Sequence, residues 1–277
     1  GLLDYYRRHQ LRGVETIEDD RYSRVFRLAE TGTTGFFRIG PQGNKPELLL
    51  EMTISDTRQL LRAVQRVRHM FDLDSDPVLI ANAFAQSKFL RSLQGKYPGA
   101  RLARGFDPFE TSIATILGQV ISVRQTSRLM GQLVAQYGEE IPHAVLGEGI
   151  RIFPTPRTLA GSDLRALNIT AQKRATVREF SSRVANGTIQ LERPQNQEDF
   201  KEAVRAVKGI GTWSAEYMAL RALGDTDAFP AADLILHRVL KAQPEVDPET
   251  VRPWRAYLAT CLWNEYAHVP NQERTKR

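Results

Sequence analysis

Two glycines separated by one isoleucine stand out in the stretch VKGIGTW, residues 207–213. Helical patterns precede and follow this stretch, so the glycines lie in a connection of only a few residues. Glycine permits backbone conformations closed to other residues, and it leaves neighbouring amides unshielded by side chains. Amides at the N-terminus of the second helix, together with its dipole, suit an anion the size of one phosphate group.

The local sequence leaves a second interpretation of the glycine pair open. Gly211 is followed by Thr-Trp, so the spacing is not that of a P-loop, and no strand precedes the pair as a dinucleotide fingerprint requires. A plain helix–helix turn with a glycine cap explains the stretch as well as a phosphate site does.

One carboxylate follows the glycine pair at a distance of about twenty residues. Asp233 is predicted in the first turn of a helix that Pro230 opens, where the helix dipole favours the ionised form. An ionised carboxylate beside a sugar stabilises an oxocarbenium-like transition state or orients a water, as in glycoside hydrolysis. An ordinary acidic residue at a helix N-terminus is the competing interpretation.

Three aromatic residues are candidates for binding a flat cation. Trp213 and Tyr217 are four residues apart on one predicted helix face, and Trp263 lies on the last long helix. Cation–π contacts contribute about 0.5 to 2 kcal/mol each, although each ring could equally be a core residue. One carboxylate without an evident second acid suits a leaving group that already carries a positive charge and departs without being protonated.

The elements that must hold these residues change in type along the chain. Strands are predicted in YSRVFRLAE, GFFRI and PELLLEMTI, and helices from Asp56 and from about Pro77 to Leu93. Farther on only helices are predicted, two of which begin with capping signals at DPFE, residues 107–110, and SVRQ, residues 122–125. The prediction is an α+β fold, with a small antiparallel sheet plus helices in residues 1–103 and an all-helical lobe in residues 104–277.

Composition limits the function classes. The chain has 277 residues, a formal charge of +6 and one cysteine, Cys261, in an apolar run. The excess of positive charge is compatible with a nucleic-acid partner, but by itself it is weak evidence for one. One cysteine cannot form an internal disulfide or ligate an iron–sulfur cluster, and the five histidines lack metal-ligand spacing. With no spanning run or signal peptide in the sequence, we expect a cytoplasmic protein without membrane contact, and a monomer.

The stretch VKGIGTWSAEYMALRALGDTDAFPAADLILHRVL as a whole resembles the core of the helix-hairpin-helix DNA glycosylases. In that superfamily the glycine hairpin docks on a DNA phosphate, and an essential aspartate follows at the start of the next helix. The segments FETSIATILGQVISVRQTSRLMGQLVAQYG, RPWRAYLATCLWNEY and LLDYYRRHQLRGVETI resemble the bacterial 3-methyladenine DNA glycosylase II family, which acts in alkylation repair. The resemblance covers essentially the whole chain.

The resemblance implies a role for each candidate residue. Asp233 matches the catalytic carboxylate, and Gln119 with Val120 matches the wedge that fills the gap left by a flipped base. The base pocket would be formed by aromatic side chains: Tyr5, Trp213, Tyr217 and Trp263. The phosphate would be held by the hairpin: Lys208, Gly209, Ile210, Gly211, Thr212 and Ser214. Hairpins of this type often bind Na⁺ or K⁺ through backbone carbonyls, for which Val207 and Ile210 are candidates; no other cofactor is implied.

The implied activity is removal of a damaged base from double-stranded DNA in the bacterial nucleoid. Lyase members of the superfamily carry a Schiff-base lysine where this chain has Trp213, so a monofunctional enzyme that leaves an abasic site is expected. The expected substrates are alkylated purines, chiefly 3-methyladenine, with 7-methylguanine as a further candidate. Lys208 replaces the usual proline, and Leu234 and Asn264 replace pocket aromatics, which affects the range of bases.

Two alternatives stay open on the sequence. One is a glycosylase of the same fold that acts on oxidised or deaminated bases. The other is a non-catalytic DNA-binding module that uses the hairpin only to dock on a phosphate, for which a carboxylate at position 233 would have no purpose.

Overall fold

The computed structural model describes residues 2–141, 149–192 and 196–267. The chain packs as two compact units, each assembled from separate stretches of sequence. The first unit comprises Gly1–Val67, Ser112–Gln190 and Val207–Gly209; the second comprises Arg68–Thr111, Leu191–Ala206 and Ile210–Arg277. The lobe boundary between residues 103 and 104 divides the chain in a different way, and it stays a prediction.

A four-stranded antiparallel sheet lies in the first unit. Its strands pair in chain order: β1 Glu15–Glu18, β2 Arg21–Arg27, β3 Thr34–Pro41 and β4 Leu48–Ile54. The apolar patterns predicted β2, β3 and β4. They missed β1, whose four residues ETIE carry a single aliphatic side chain. Tyr22 and Phe26 of β2 and Phe37 of β3 are fully buried and form part of the apolar face of this sheet.

Twelve α-helices account for most of the rest of the described chain. They are α1 Leu2–His9, α2 Leu60–Met70, α3 Pro77–Phe84, α4 Lys88–Lys96, α5 Pro108–Gly118, α6 Val123–Tyr137, α7 Pro156–Gly161, α8 Ala171–Ala185, α9 Gln197–Arg205, α10 Thr212–Met218, α11 Leu234–Ala242 and α12 Arg255–Ala267. A π-helical turn, Ala219–Leu223, prolongs α10. A pair of two-residue strands, β5 Glu139–Glu140 and β6 Arg151–Ile152, adds a small second sheet. The predicted α+β fold class is confirmed.

Local capping explains where several of these helices begin. Asp107 accepts hydrogen bonds from the amides of Phe109 (2.7 Å) and Glu110 (3.2 Å) at the start of α5. Ser122 and Gln125 form the predicted capping box of α6. The single helix predicted from Pro77 to Leu93 is wrong: it is two helices, because the Ser87 side chain caps a new helix at the Leu90 amide, 3.0 Å away.

The candidate residues lie partly in connections between helices and partly on or next to three helices. In the first unit, the turn at residues 118–121 joins α5 to α6. In the second unit, α10, α11 and α12 carry the aromatic residues and Asp233. The glycine hairpin joins α9 to α10. In the described ranges, no helix combines the length and the apolar character needed to cross a membrane.

Candidate functional site

Asp233 is a helix N-cap whose carboxylate accepts four hydrogen bonds. Its Oδ1 accepts from the amides of Ile235 (3.0 Å) and Leu236 (3.2 Å), so Asp233 precedes α11 and does not lie in its first turn. The indole Nε1–H of Trp263 donates to the same oxygen at 3.1 Å, and that of Trp213 donates to Oδ2 at 3.1 Å. These four donors replace the water that a half-buried carboxylate would lose.

The three predicted pocket aromatics of the second unit lie together beside this carboxylate. Trp213 stacks on Tyr217 with ring centroids 5.1 Å apart and planes 19° apart. Tyr217 meets Trp263 at 5.8 Å with planes tilted by 59°. All three side chains are partly exposed, so the cluster is not a closed core. It therefore combines electron-rich rings with a fixed negative charge, which suits a flat cation next to a sugar.

A buried arginine that sequence reasoning missed supports the aromatic cluster. The Arg221 guanidinium carbon lies 5.0 Å from the Trp263 ring centroid and 5.7 Å from that of Tyr217. Its Nη1 donates to the carbonyl of Ala103 at 2.8 Å. Arg221 is one helical turn from Tyr217, so the spacing offered a signal, but the sequence did not show that the residue would be buried.

Glu216, which sequence reasoning also missed, holds the segment that leads to Asp233. Glu216 accepts from the backbone amide of Phe229 at 3.1 Å and from Lys201 Nζ at 3.1 Å. Lys201 is 5% exposed, and it also pairs with Glu198 at 2.5 Å. The ion pair connects α9 and α10, the two helices of the hairpin, to the chain that precedes the catalytic candidate.

The hairpin itself is hydrogen-bonded to α8 and to the turn at residues 118–121. Thr176 Oγ1 donates to the carbonyl of Lys208 at 2.8 Å, and Gln119 Nε2 donates to that of Gly209 at 3.0 Å. Gly209 has φ +97°, and a Cβ there would lie 2.5 Å from Thr176 Oγ1. Gly209 is therefore required by the fold of the hairpin.

At Gly211, neither the backbone conformation nor the space around it requires a glycine. Its φ is −95°, which any residue adopts, and a Cβ there would meet nothing within 4 Å. It is the exposed N-cap of α10, and within the described chain no side chain caps that helix. This exposed glycine leaves the start of α10 open to approach from outside the chain.

The remaining predicted site residues differ in exposure. Val120 is fully exposed, at 103%, and Lys208 and Thr212 are also exposed. Ser214 is 2% exposed, so its side chain lies inside the unit; a direct role on a phosphate stays a prediction. Val207 and Ile210 are buried, and a cation at their carbonyls also stays a prediction.

Tyr5 belongs to the first unit, and the other aromatic candidates belong to the second. Its ring stacks on His9 with centroids 4.0 Å apart and planes 21° apart. Its assignment to a base pocket stays a prediction.

Metal and thiol chemistry receive no support from the described residues. In those ranges, no three His, Cys, Asp or Glu side chains are arranged to hold a metal ion. Cys261 is buried, as predicted, and burial raises the pKa of its thiol to about 12, which leaves it protonated and unreactive near neutral pH.

Comparison with known proteins shows what the chain is similar to. Residues 1–107 match the AlkA N-terminal domain. A probable bifunctional transcriptional activator/DNA repair enzyme AlkA of Mycobacterium tuberculosis is 33% identical over 268 residues, covering 94% of this chain and 53% of that protein. DNA-3-methyladenine glycosylase 2 of Escherichia coli is 25% identical over 281 residues, covering 98% of this chain and 95% of that protein. The chain thus spans about half the length of the mycobacterial relative.

A solved structure shares the fold over almost the whole chain. The 3-methyladenine DNA-glycosylase from Archaeoglobus fulgidus superposes with a TM-score of 0.76 at 19% identity, covering 97% of this chain and 95% of that one. At this identity the likeness shows the fold. Together with the match at residues 1–107, it confirms the resemblance to the helix-hairpin-helix DNA glycosylases that the motifs predicted.

The two hairpin glycines should respond differently to alanine. Gly209→Ala should lower the free energy of unfolding by about 2 to 3 kcal/mol. The hairpin requires a positive φ at this position, which is strained for alanine, and the added Cβ would displace the Thr176 side chain. Gly211→Ala should leave the unfolding midpoint in urea unchanged or slightly raised. Equal losses in both variants would contradict the assignment of separate roles.

The two indole N–H donors should stabilise the second unit. Trp213→Phe and Trp263→Phe each keep an aromatic ring but leave one carboxylate oxygen of Asp233 with a donor fewer. Each should cost about 1 to 2 kcal/mol more in urea unfolding than Trp254→Phe, a matched change at a ring that packs on Tyr257. Similar losses at all three positions would mean that ring volume, and not the bond to Asp233, is responsible.

Proposed function

We propose that this chain is a monofunctional DNA glycosylase that excises alkylated purines from double-stranded DNA and leaves an abasic site for base excision repair. The principal substrate would be 3-methyladenine, with 7-methylguanine as a further candidate. The proposal depends above all on one observation: the Asp233 carboxylate, held by two indole N–H groups, beside the rings of Trp213, Tyr217 and Trp263. The names of the relatives from Escherichia coli and Archaeoglobus fulgidus support the same substrate class.

The aromatic cluster would bind the flipped base. A purine alkylated at N3 or N7 is a flat cation, so the ring faces attract it by stacking and by cation–π contact. The same positive charge makes the base a good leaving group, because it departs neutral without being protonated first. The reaction therefore needs no general acid, which agrees with a site built around one carboxylate.

Asp233 would act on the sugar. As the N-glycosidic bond lengthens, positive charge develops on the deoxyribose, and a fixed carboxylate stabilises that charge. Four hydrogen-bond donors already occupy its oxygens, which leaves little acceptor capacity for orienting a water molecule. We therefore assign Asp233 mainly to electrostatic stabilisation of the oxocarbenium-like transition state, with water attacking the sugar once the base has left.

The hairpin would bind the DNA backbone, and the exposed turn at residues 118–121 would contact the base stack. The uncapped amides at the start of α10, with Gly211 unobstructed, suit one phosphate oxygen, and exposed Lys208 adds charge. Removing a base from the duplex stack leaves a gap, and exposed Val120 with Gln119 is suited to fill it. The monovalent cation proposed at the carbonyls of Val207 and Ile210 would stiffen the hairpin.

The absence of lyase activity is proposed from the residue at position 213. Schiff-base chemistry needs an amine beside C1′ of the sugar. Here that position holds Trp213, whose N–H is committed to Asp233. The product should therefore be an intact strand that carries an abasic site.

Asp233→Asn gives the most direct test of catalysis. Asparagine caps a helix as well as aspartate does, so the fold should persist although its amide nitrogen cannot accept from Trp213, and the negative charge is lost. We expect release of 3-methyladenine from methylated duplex DNA to fall at least about 100-fold, with DNA affinity changed less than threefold. Wild-type product strands should break only after alkali.

Three results would contradict parts of this proposal. Release by Asp233→Asn at the wild-type rate would remove the catalytic role of the carboxylate. Strand breakage without alkali would remove the monofunctional assignment. Wild-type activity on oxidised or deaminated bases but not on methylated ones would remove the substrate class.

Gly211→Ala tests the hairpin as a phosphate site. A methyl group at this position should obstruct the amides without disturbing the fold, and it should weaken binding to a duplex containing an abasic-site analogue about tenfold. Gly95→Ala is the matched control, since a Cβ at Gly95 also meets nothing within 4 Å. Unchanged affinity in Gly211→Ala would exclude a phosphate contact at this glycine.

A further inference from the structure

The turn between α5 and α6 holds an exposed side chain in a strained conformation. Val120 has φ +65°, a region that a β-branched residue rarely occupies, and its side chain is 103% exposed. It buries no apolar surface that could offset this strain. Within the turn, the Ile121 amide donates a long hydrogen bond to the Gly118 carbonyl at 3.3 Å. Other contacts must therefore keep the turn in this shape.

Lys173 provides two of those contacts. Its Nζ donates to the carbonyls of Leu117 at 3.0 Å and Gln119 at 3.1 Å, so it holds the backbone immediately before Val120. Both carbonyls lie at the C-terminal end of α5, where carbonyls lack helical partners and a positive charge is favourable.

The place of Lys173 in its own helix is unfavourable for a positive charge. It lies in the first turn of α8, where its backbone amide donates to the Thr170 cap at 3.2 Å and where the helix dipole disfavours a cation. Partial burial also lowers the pKa of its ammonium group. An unfavourable local position, compensated by two carbonyls of another helix, indicates that the lysine serves the turn.

The same face of α8 also holds the hairpin. Thr176 lies three residues after Lys173 and donates to the carbonyl of Lys208 at 2.8 Å. Gln119, whose carbonyl Lys173 holds, reaches the Gly209 carbonyl at 3.0 Å with its side chain. The turn, α8 and the hairpin residues Lys208 and Gly209 are thus joined pairwise by hydrogen bonds, and all of these residues belong to the first unit.

We propose that Lys173 is a positioning residue for base flipping: it holds the Val120 turn at a fixed place relative to the hairpin. When the hairpin docks on a phosphate, Val120 then meets the base stack at the correct distance. This inference rests on the proposed glycosylase function. It assigns Lys173 no contact with the base or the sugar, so its effect should depend on how firmly the target base is stacked.

Two duplexes separate this role from general damage to the protein. In one, the methylated purine is paired; in the other, it lies opposite an abasic-site analogue and is already loosened. In single-turnover base release, Lys173→Met should be about 10- to 100-fold slower than wild type on the paired lesion. On the unpaired lesion it should be slower by less than about threefold.

Two further variants serve as controls. Lys173→Arg should recover most of the rate on the paired lesion, because a guanidinium also donates to two carbonyls. Lys88→Met removes the same charge from the exposed first turn of α4 and should match wild type on both duplexes. Unfolding midpoints of Lys173→Met and Lys173→Arg should agree, so that rate differences reflect position.

Each outcome decides the inference. It is overturned if Lys173→Met matches wild type on both duplexes, or if it slows both equally without rescue by Lys173→Arg. If the wild type releases the base and Lys173→Met shows no greater loss of rate on the paired lesion than on the unpaired one, only the positioning role is rejected. Lack of base release by the wild type from either duplex rejects the proposed function, and the inference with it.

Discussion

The organisation of the second unit around its candidate site depends on the hydrogen bonding of one carboxylate. Asp233 accepts from the first amides of α11, from Trp213 on α10 and from Trp263 on α12, so a single negative charge connects three helices. A half-buried charge requires such donors, and here two of the donors are the edges of the aromatic rings. The interaction that satisfies the carboxylate therefore also fixes the rings beside it.

The supporting residues extend this arrangement outward. Arg221 lies against Trp263 and Tyr217 and is anchored on a backbone carbonyl, while Glu216 holds the segment before Asp233 and is itself paired with buried Lys201. Charged groups are buried here only where each meets an opposite charge, a carbonyl or a ring face. In the proposed reaction, a geometry held in this way would need little reorganisation when charge develops.

The glycine hairpin and the turn at residues 118–121 show a different balance between fold and function. Gly209 is required by its own backbone conformation, whereas Gly211, uncapped α10 and strained, exposed Val120 contribute nothing evident to stability. Features that the fold does not need are concentrated in the hairpin and in the turn that Lys173 holds. This distribution is expected of a surface shaped by what it binds.

The sequence alone determined the fold class and the identity of most candidate residues. Capping and turn signals act within a few residues, so Asp107, Ser122 and the glycine hairpin could be recognised without tertiary information, and motif spacing identified Asp233. A short polar strand such as β1 and the break at Ser87 were missed because their local signals are weak or compete with an apolar pattern.

Only the tertiary structure decided how those residues are used. Trp213 and Trp263 were predicted for their ring faces, yet their N–H groups are bonded to Asp233, 20 and 30 residues away in sequence. Arg221 bonds a carbonyl 118 residues away, and Lys173 holds carbonyls 56 and 54 residues away. Partners so distant are brought together by the packing of helices, and sequence periodicity carries no information about which side chain will face which carbonyl.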